Sequence, residues 1–133
     1  MSLSKVIEFQ NYLHLALEQN AELNSQVYGI YQTLQSKTKY PFIFHQIISI
    51  EELQNPCELY EVKGEINIFL RNNDIKKISK IIYEIEKIFD RKINALHSYK
   101  YISGKINDIT FSKSKDQLTT TAKLVYTSLI QKI

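Results

Sequence analysis

The segment from Tyr60 to Asp90 changes its hydrophobic period once, and this change constrains the fold more than any other feature. Between residues 60 and 70 the residue type alternates, and successive side chains of a strand point to opposite faces. The apolar positions are Tyr60, Val62, Ile66, Ile68 and Leu70, and the polar positions are Glu61, Lys63, Glu65 and Asn67. The pattern predicts a strand with one buried face and one solvated face.

After this strand, apolar residues recur every three or four positions, which is the spacing of an amphipathic helix. Asp74 precedes the pattern and is suited to cap the helix by accepting a backbone N–H. The predicted apolar stripe contains Ile75, Ile78, Ile82, Ile85 and Phe89, widened by Ile81 and Ile88, and the predicted polar face contains Lys76, Lys77, Lys80, Glu84 and Lys87. The stripe is expected to pack on the apolar face of the strand, so an aspartate at Ile82 should unfold the protein.

Sequence before this unit predicts one helix and two strands. The helix is expected from its cap Ser4 to Asn20, with Val6, Phe9, Leu13, Ala16 and Leu17 buried, and a loop is expected from Asn20 to Ser25. A short strand is predicted around Gly29 and a second from Tyr40 to Ile48. Pro41 should start that second strand or lie on a sheet edge, because proline cannot donate a hydrogen bond to the ladder. A loop is predicted from Glu51 to Glu58.

Sequence after the unit predicts an irregular segment from Arg91 to Tyr99 and two further strands. Alternation from Ile102 to Phe111 is imperfect, which indicates a bulge or an edge position near Gly104. The final strand is expected from Leu118 to Ile130. The order α-β-β-β-α-β-β predicts an α+β fold: one domain over residues 1–133, with a mainly antiparallel sheet and two helices on one face.

Composition supports a globular protein. The chain has 133 residues, of which 44% are hydrophobic and 23% charged, with a net charge of +3. With 3 glycines and 2 prolines, neither disorder nor a glycine-rich phosphate loop is expected. Cys57 is the single cysteine, which excludes an intramolecular disulfide and fits a reducing compartment. No segment has the apolar length of a membrane span or the pattern of a signal peptide, so we expect no membrane association.

Sequence motifs of catalysis and cofactor binding are absent. His14, His45 and His97 have no partner at metal-ligand spacing, and no nucleophile elbow, Walker loop or dinucleotide fingerprint occurs. The pairs Glu51/Glu52 and Glu84/Glu86 diverge on a strand or a helix, so neither makes an acid/base couple by itself. We therefore expect no enzyme activity, metal or cofactor, although a small enzyme with an active site assembled from distant residues, or a ligand-binding domain of α+β type, stays an alternative.

Basic residues leave nucleic-acid binding open as a second alternative. Positive charge gathers on the predicted second helix and at its end, at Arg91 and Lys92. Tyr99, Lys100, Tyr101 and Lys105 interleave aromatic and basic side chains, as a stacking platform for bases would, although strand packing explains the tyrosines as well. Because few phosphates are neutralised at once, we expect at most weak, salt-sensitive binding without sequence preference.

Three short motifs carry a resemblance to a known family. They are Tyr40-Pro41-Phe42-Ile43, the strand end Ile66-Asn67-Ile68-Phe69-Leu70-Arg71, and the Asp116 turn before the closing strand. In this layout the chain resembles the phage tail-terminator and tail-completion proteins, which include many short prophage proteins. Phe69 stands where that family commonly has tryptophan, Leu70 where it has a small polar residue, and Gln117 where it has glycine.

The resemblance implies a structural protein that forms a ring, usually of six subunits, at the head-proximal end of a tail tube. Such a ring stops growth of the tube and contacts the head connector, in the host cytoplasm or within a phage or gene-transfer-agent particle. Polar tips of long strands are the expected contacts: the loop Gln35–Lys39, the turn Lys113–Gln117 and an exposed edge near Pro41. The candidate contact residues are Lys37, Lys39, Lys113, Lys115 and Asp116.

Overall fold

The computed structural model describes residues 3–34, 36–54, 56, 58–71, 74–90 and 98–133. Eight elements follow one another along the described chain: α1 Leu3–Gln19, α2 Ala21–Asn24, β1 Gly29–Tyr31, β2 Phe42–Gln54, β3 Leu59–Arg71, α3 Ile75–Asp90, β4 Tyr99–Lys113 and β5 Thr119–Lys132. The predicted α+β fold and its element order are confirmed, with α2 as an addition. Cys57, His97, Gln35, Arg91 and Lys92, together with most of the segment predicted as irregular, lie outside the described residues.

The five strands form one sheet in the order β1-β2-β3-β5-β4. Three of the strand pairings are antiparallel, as predicted, and the pairing of β1 with β2 is parallel. The pair is parallel because the chain between β1 and β2 returns to the end of the sheet at which β1 begins. There Tyr28 N–H, just before β1, donates to the carbonyl oxygen of Pro41, just before β2, at 2.7 Å. Pro41 precedes the first residue of β2, as expected for a residue that cannot donate within a ladder.

The two faces of β3 are those that its alternating sequence predicts. Tyr60, Val62, Ile66, Ile68 and Leu70 are all buried in one continuous apolar core. Both long helices cover this face, as the Tyr126 side chain of β5 shows. Its ring lies 6.3 Å from the Phe9 ring of α1 and 4.9 Å from the Phe89 ring of α3, measured between centroids. The opposite face of the sheet carries no helix among the described residues, and below we call it the open face.

The predicted apolar stripe of α3 is buried except at Ile75, and Glu84 lies on it as well. Ile81 and Ile85 are fully buried, whereas Ile75 lies in the first turn and is exposed. Glu84, predicted on the polar face, is buried and forms an ion pair with Lys87, whose Nζ lies 2.8 Å from Glu84 Oε1. Residues three and four apart share a helix face, so the spacing of Glu84 from Ile81 and Ile88 places it on the stripe. The cap prediction is confirmed, since Lys77 N–H donates to Asp74 Oδ1 at 3.1 Å.

Several predicted element ends are wrong. The helix α1 begins before Ser4, and the loop predicted from Asn20 contains α2, where Asn20 Oδ1 accepts a hydrogen bond from Leu23 N–H at 2.9 Å. β2 continues through the loop predicted from Glu51, because Glu51 and Glu52 pair across the hairpin with β3. The predicted irregularity of β4 is confirmed: it is an edge strand with two register shifts.

Gly64 of β3 lies directly across from Tyr126 of β5, and the tyrosine ring covers the glycine. A Cβ atom at residue 64 would stand 2.2 Å from the Tyr126 hydroxyl oxygen and 2.3 Å from Cζ. The Tyr126 side chain is fully buried between the two helices, so it has no free space into which it can move. The glycine is therefore required for the packing of both helices on the sheet.

We expect Gly64→Ala to lower the free energy of unfolding by about 1–3 kcal/mol, the usual cost of overpacking a filled core. Chemical denaturation monitored by circular dichroism measures this loss. Gly29→Ala is the matched control, because its Cβ would also meet a tyrosine, Tyr31, but that ring is only half-buried and can swing away. Equal losses in the two variants would contradict the packing role of Tyr126.

Candidate assembly surface

The two loops predicted as contacts lie at the same end of the sheet. The pairing of neighbouring strands aligns four residues in one row near this end: Phe42 of β2, Phe69 of β3, Thr121 of β5 and Ser112 of β4. The loop before β2 and the turn between β4 and β5 both extend beyond that row. Because β2 and β4 are three strand spacings apart, the two loops are separated by about 14 Å across the sheet.

All five candidate contact residues are exposed. Lys37 and Lys39 lie in the loop before β2, Lys113 ends β4, and Lys115 and Asp116 lie in the following turn. The structure thus brings together residues that are about 75 positions apart in the sequence. Lys39 Nζ lies 5.6 Å from the centroid of the Tyr28 ring.

The turn between β4 and β5 is held by local hydrogen bonds. Asp116 Oδ1 accepts from Leu118 N–H at 3.0 Å and also from the Ser114 hydroxyl. These two hydrogen bonds, the one from Ser114 first, lower the pKa of the Asp116 carboxyl. Gln117 has a φ of 64°, in the left-handed region that favours glycine, which gives a physical reason for the glycine expected there. The turn therefore presents Lys113 and Lys115 on a defined backbone.

The expected exposed edge near Pro41 is not present. Pro41 and Phe42 are buried, and β1 pairs with the start of β2 on the outer side. On the open face the Phe42 and Phe69 rings stack with centroids 4.6 Å apart. Arg71 lies over the Tyr40 ring at 4.6 Å, so the motif serves packing rather than an open sheet edge. The prediction of an exposed sheet edge at this segment is wrong because β1 covers it.

The end of the sheet that carries both loops is basic. We call it the basic end, and its charged residues include Lys37, Lys39, Arg71, Asp74, Lys76, Lys77, Lys113, Lys115 and Asp116. The charged residues of the opposite end include Glu51, Glu52, Glu58, Glu61, Lys100, Lys132 and Lys5, whose Nζ lies 3.8 Å from the centroid of the Tyr60 ring. Complementary potential steers association, so the basic end is suited to an acidic partner surface.

An apolar groove of about 380 Å³ borders the basic end. Its walls are the first half of α3 and the end of β4, and it is lined by Ile75, Ile78, Ser79, Ile82, Phe111, Ser112, Lys113 and Thr120. Ile75 and Phe111 are both exposed. The sequence analysis missed this groove because it assigned Ile75 to the buried stripe. The exposure of Ile75 follows from its place in the first turn of α3.

The stacking platform considered for nucleic acid does not form. Tyr99 and Tyr101 are buried on the helix-covered face, and Tyr101 Oη donates to the Phe89 carbonyl oxygen at 3.1 Å. Lys100 and Lys105 are exposed and occupy other positions of β4. Buried rings are not available to stack on bases, so the specific motif for this alternative is wrong.

A pair of histidines, half-buried His14 and buried His45, was not predicted. His14 Nδ1 of α1 and His45 Nε2 of β2 share a hydrogen bond of 2.9 Å, and His14 Nε2 lies 3.0 Å from Glu18 Oε1. Burial, and secondarily the proximity of His14, lower the pKa of His45 from 6.5 to about 4. The described residues contain no group of three or more side chains suited to hold a metal ion. One signal was available: His45 falls between Ile43 and Ile47 on the buried face of its strand.

Structural comparisons identify proteins of phage-like particles with the same fold. A chain of the virion of a native gene transfer agent particle superimposes with a TM-score of 0.73 at 7% identity, and the match covers 98% of both chains. The bacteriophage SPP1 gp17 protein superimposes with a TM-score of 0.62 at 11% identity, covering 98% of this chain and 91% of that one. No protein-family model and no curated protein match the sequence.

The fold is therefore one that proteins of a phage and of a gene-transfer-agent particle use. The resemblance to phage tail-terminator and tail-completion proteins, predicted from short motifs, is confirmed at the level of the fold. The match extends over almost the whole chain. Separately, no helix of the described residues is long and apolar enough to cross a membrane.

Proposed function

We propose that this chain is a structural component of a phage-like tail: a terminator subunit that forms a ring, caps the tail tube and contacts the head connector. The observation that supports this most strongly is the fold match over 98% of both chains to a protein of a gene-transfer-agent virion. The proposal extends to a ring of six subunits and to a role without catalysis. It places the protein in the host cytoplasm before assembly and in the particle afterwards, as one domain over residues 1–133.

Geometry of the two loops supports an assembly role. A subunit of a ring between a tube and a connector needs distinct surfaces for its neighbours within the ring and for the components stacked above and below. The basic end gathers Lys37, Lys39, Lys113, Lys115 and Asp116 on one side of the molecule, away from the long sides of the sheet. We assign this end to the contact with the tube or the connector, and the long sides to neighbouring subunits.

Mass in solution tests ring formation. Sedimentation velocity over a wide range of protein concentration should detect a closed oligomer, with negative-stain images showing rings of uniform diameter. A terminator subunit can stay monomeric until it meets a tube end, so a monomeric sample is then mixed with tubes of the cognate tail-tube protein. A chain that forms no oligomer under either condition contradicts the proposal.

We expect the double variant Lys113→Glu and Lys115→Glu to lose binding to the tube or connector while its melting temperature stays nearly unchanged. Exposed charges contribute only ~0–1 kcal/mol to stability, yet they set the rate and specificity of association. Co-sedimentation with tubes and thermal unfolding measure the two effects.

The control for this variant is Lys63→Glu with Lys80→Glu, which changes the net charge equally at exposed lysines of β3 and α3. If the turn is a contact, the control variant binds like the parent. If both double variants bind like the parent, the turn between β4 and β5 is not an interface.

A further inference from the structure

Two long stretches of the sheet have an unpaired edge, and they lie on opposite sides of the molecule. β4 is the outermost strand on one side, and no described strand pairs with its outer edge. On the other side, β1 covers only Phe42–Phe44 of β2. The outer edge of β2 from His45 to Gln54 therefore has no strand partner among the described residues. Unpaired N–H and C=O groups along such edges are a template for pairing with another chain.

Each of these two strands contains two bulges, and three of the four bulge residues are aliphatic and exposed. The register of β2 with β3 skips Ile48 and Leu53, and the register of β4 with β5 skips Ile102 and Asn107. The side chain of Ile48 is 58% exposed, that of Leu53 46% and that of Ile102 39%. A bulge changes the direction in which a side chain points, and at three of these four bulges that side chain is branched and apolar.

Free edges of monomeric proteins usually carry charges or prolines that block pairing. The uncovered part of β2 contains no proline and no lysine, and its bulges present Ile48 and Leu53 instead. Charged residues occupy only part of each edge: Glu51 and Glu52 on β2, and Lys100, Lys105, Asp108 and Lys113 on β4. Exposed aliphatic side chains at an unpaired edge are typical of an edge that another chain covers.

The bulges of the two strands lie at matching levels of the sheet. The row of paired residues that contains Tyr60 has Leu53 on one side and Ile102 on the other. Asn107 and Ile48 likewise flank the row that contains Gly64. When two copies stand side by side in the same orientation, the bulges of β4 in one copy come level with those of β2 in the next.

Strand direction and charge fit the same arrangement. β2 and β4 run antiparallel within the sheet, so β4 of one copy meets β2 of the next copy antiparallel, the direction with the better hydrogen-bond geometry. The uncovered segment of β2 carries Glu51 and Glu52 and no lysine or arginine. The facing part of β4 carries Lys100, Lys105 and Asp108, so its net charge is opposite to that of the β2 segment.

We propose that the ring closes through these edges: residues 99–109 of β4 in each subunit pair with residues 45–54 of β2 in its neighbour, and across the junction Ile102 packs against Leu53 while Asn107 lies beside Ile48. The interface is heterologous, because it joins two different surfaces, and this is the type that closes into rings. The inference rests on the proposed ring. It adds which strands form the contact and which side chains fill it.

The test uses two single variants of the full chain that each block one edge: Ile48→Lys on β2 and Ile102→Lys on β4. Both positions are exposed, so we expect both variants to fold, with circular dichroism spectra and melting temperatures like those of the parent. Sedimentation velocity should show that each variant alone has lost the oligomer. An equimolar mixture should form a dimer and nothing larger, because each variant retains the edge that the other one lacks.

Ile7→Lys is the matched control, since Ile7 is 54% exposed on α1, outside both edges, and its variant should assemble like the parent. Assembly of either edge variant to the same extent as the parent overturns the inference. A mixture that stays monomeric also overturns it, because the two edges then do not pair with each other. Failure of the parent itself to assemble, alone or on tubes, refutes the proposed ring and, with it, the interface.

Discussion

Ile81→Asp is expected to leave no cooperatively folded protein. Ile81 is 0% exposed at the centre of the buried face of α3, and an ionised carboxylate there would have no partner among the apolar side chains of the core. Burying an unpaired charge is among the few single changes that cost more than about 4–5 kcal/mol, comparable to the whole stability of many domains. Circular dichroism and a denaturant titration of the purified variant measure this loss.

The matched control is Tyr83→Asp, two residues further along the same helix. Tyr83 is 63% exposed, so the new carboxylate stays in water and the variant should unfold cooperatively, close to the parent. Ile82→Asp, expected from the sequence to unfold the protein, should instead give an intermediate loss, because Ile82 borders the groove near the basic end and a charge there reaches water more easily. A folded Ile81→Asp variant would contradict the orientation of α3 on the sheet.

We expect the free energy of unfolding to fall by about 3 kcal/mol as the pH is lowered from about 6.5 to about 4, through His45 alone. In the folded protein the pKa of His45 is about 4, against 6.5 for an ordinary histidine. Between these values the unfolded chain binds a proton that the folded chain does not. Stability from this group is therefore complete above pH 6.5 and is lost as the pH falls. Denaturant titrations at several pH values measure the slope.

Two variants assign this slope to its residue. His45→Met replaces the ring with an apolar side chain, so its stability should change less between these pH values than that of the parent. His14→Gln should retain most of the slope, because burial is the larger cause of the low pKa of His45. An unchanged slope in His45→Met would place the acid sensitivity in groups other than His45.

The spacing of apolar residues was sufficient to predict the two faces of β3 and the order of the main elements. The residue type and position of Asp74 were sufficient to predict the helix cap. These features depend on local spacing, which the sequence displays directly. Glu84 shows the limit of such reasoning: its residue type indicates solvent, but its spacing from Ile81 and Ile88 places it on the buried stripe, and packing overrides residue preference. The parallel pairing of β1 with β2 depends on a crossing loop, and nothing in the strand sequences predicts it.

Features of the candidate interfaces were less accessible to sequence reasoning. The expectation that Lys37, Lys39, Lys113, Lys115 and Asp116 lie on exposed tips of strands agrees with their positions, and their role in contacts stays a prediction. The bulges at Ile48, Leu53 and Ile102 were not predicted at those residues, because a bulge is defined by the register with the partner strand. The pairing of His14 with His45 likewise requires the tertiary fold, since 31 positions separate the two residues.

Electron microscopy of tail tubes grown with and without this protein tests the proposed function most directly. Tubes are assembled from the cognate tail-tube protein, and their lengths and ends are compared at increasing amounts of the chain. A terminator is expected to shorten the tubes and to add one ring of density at a single end, and the variant Lys113→Glu with Lys115→Glu should do neither. Unchanged tube lengths with bare ends, at every amount of the parent protein, would contradict the assignment of this chain as a tail terminator.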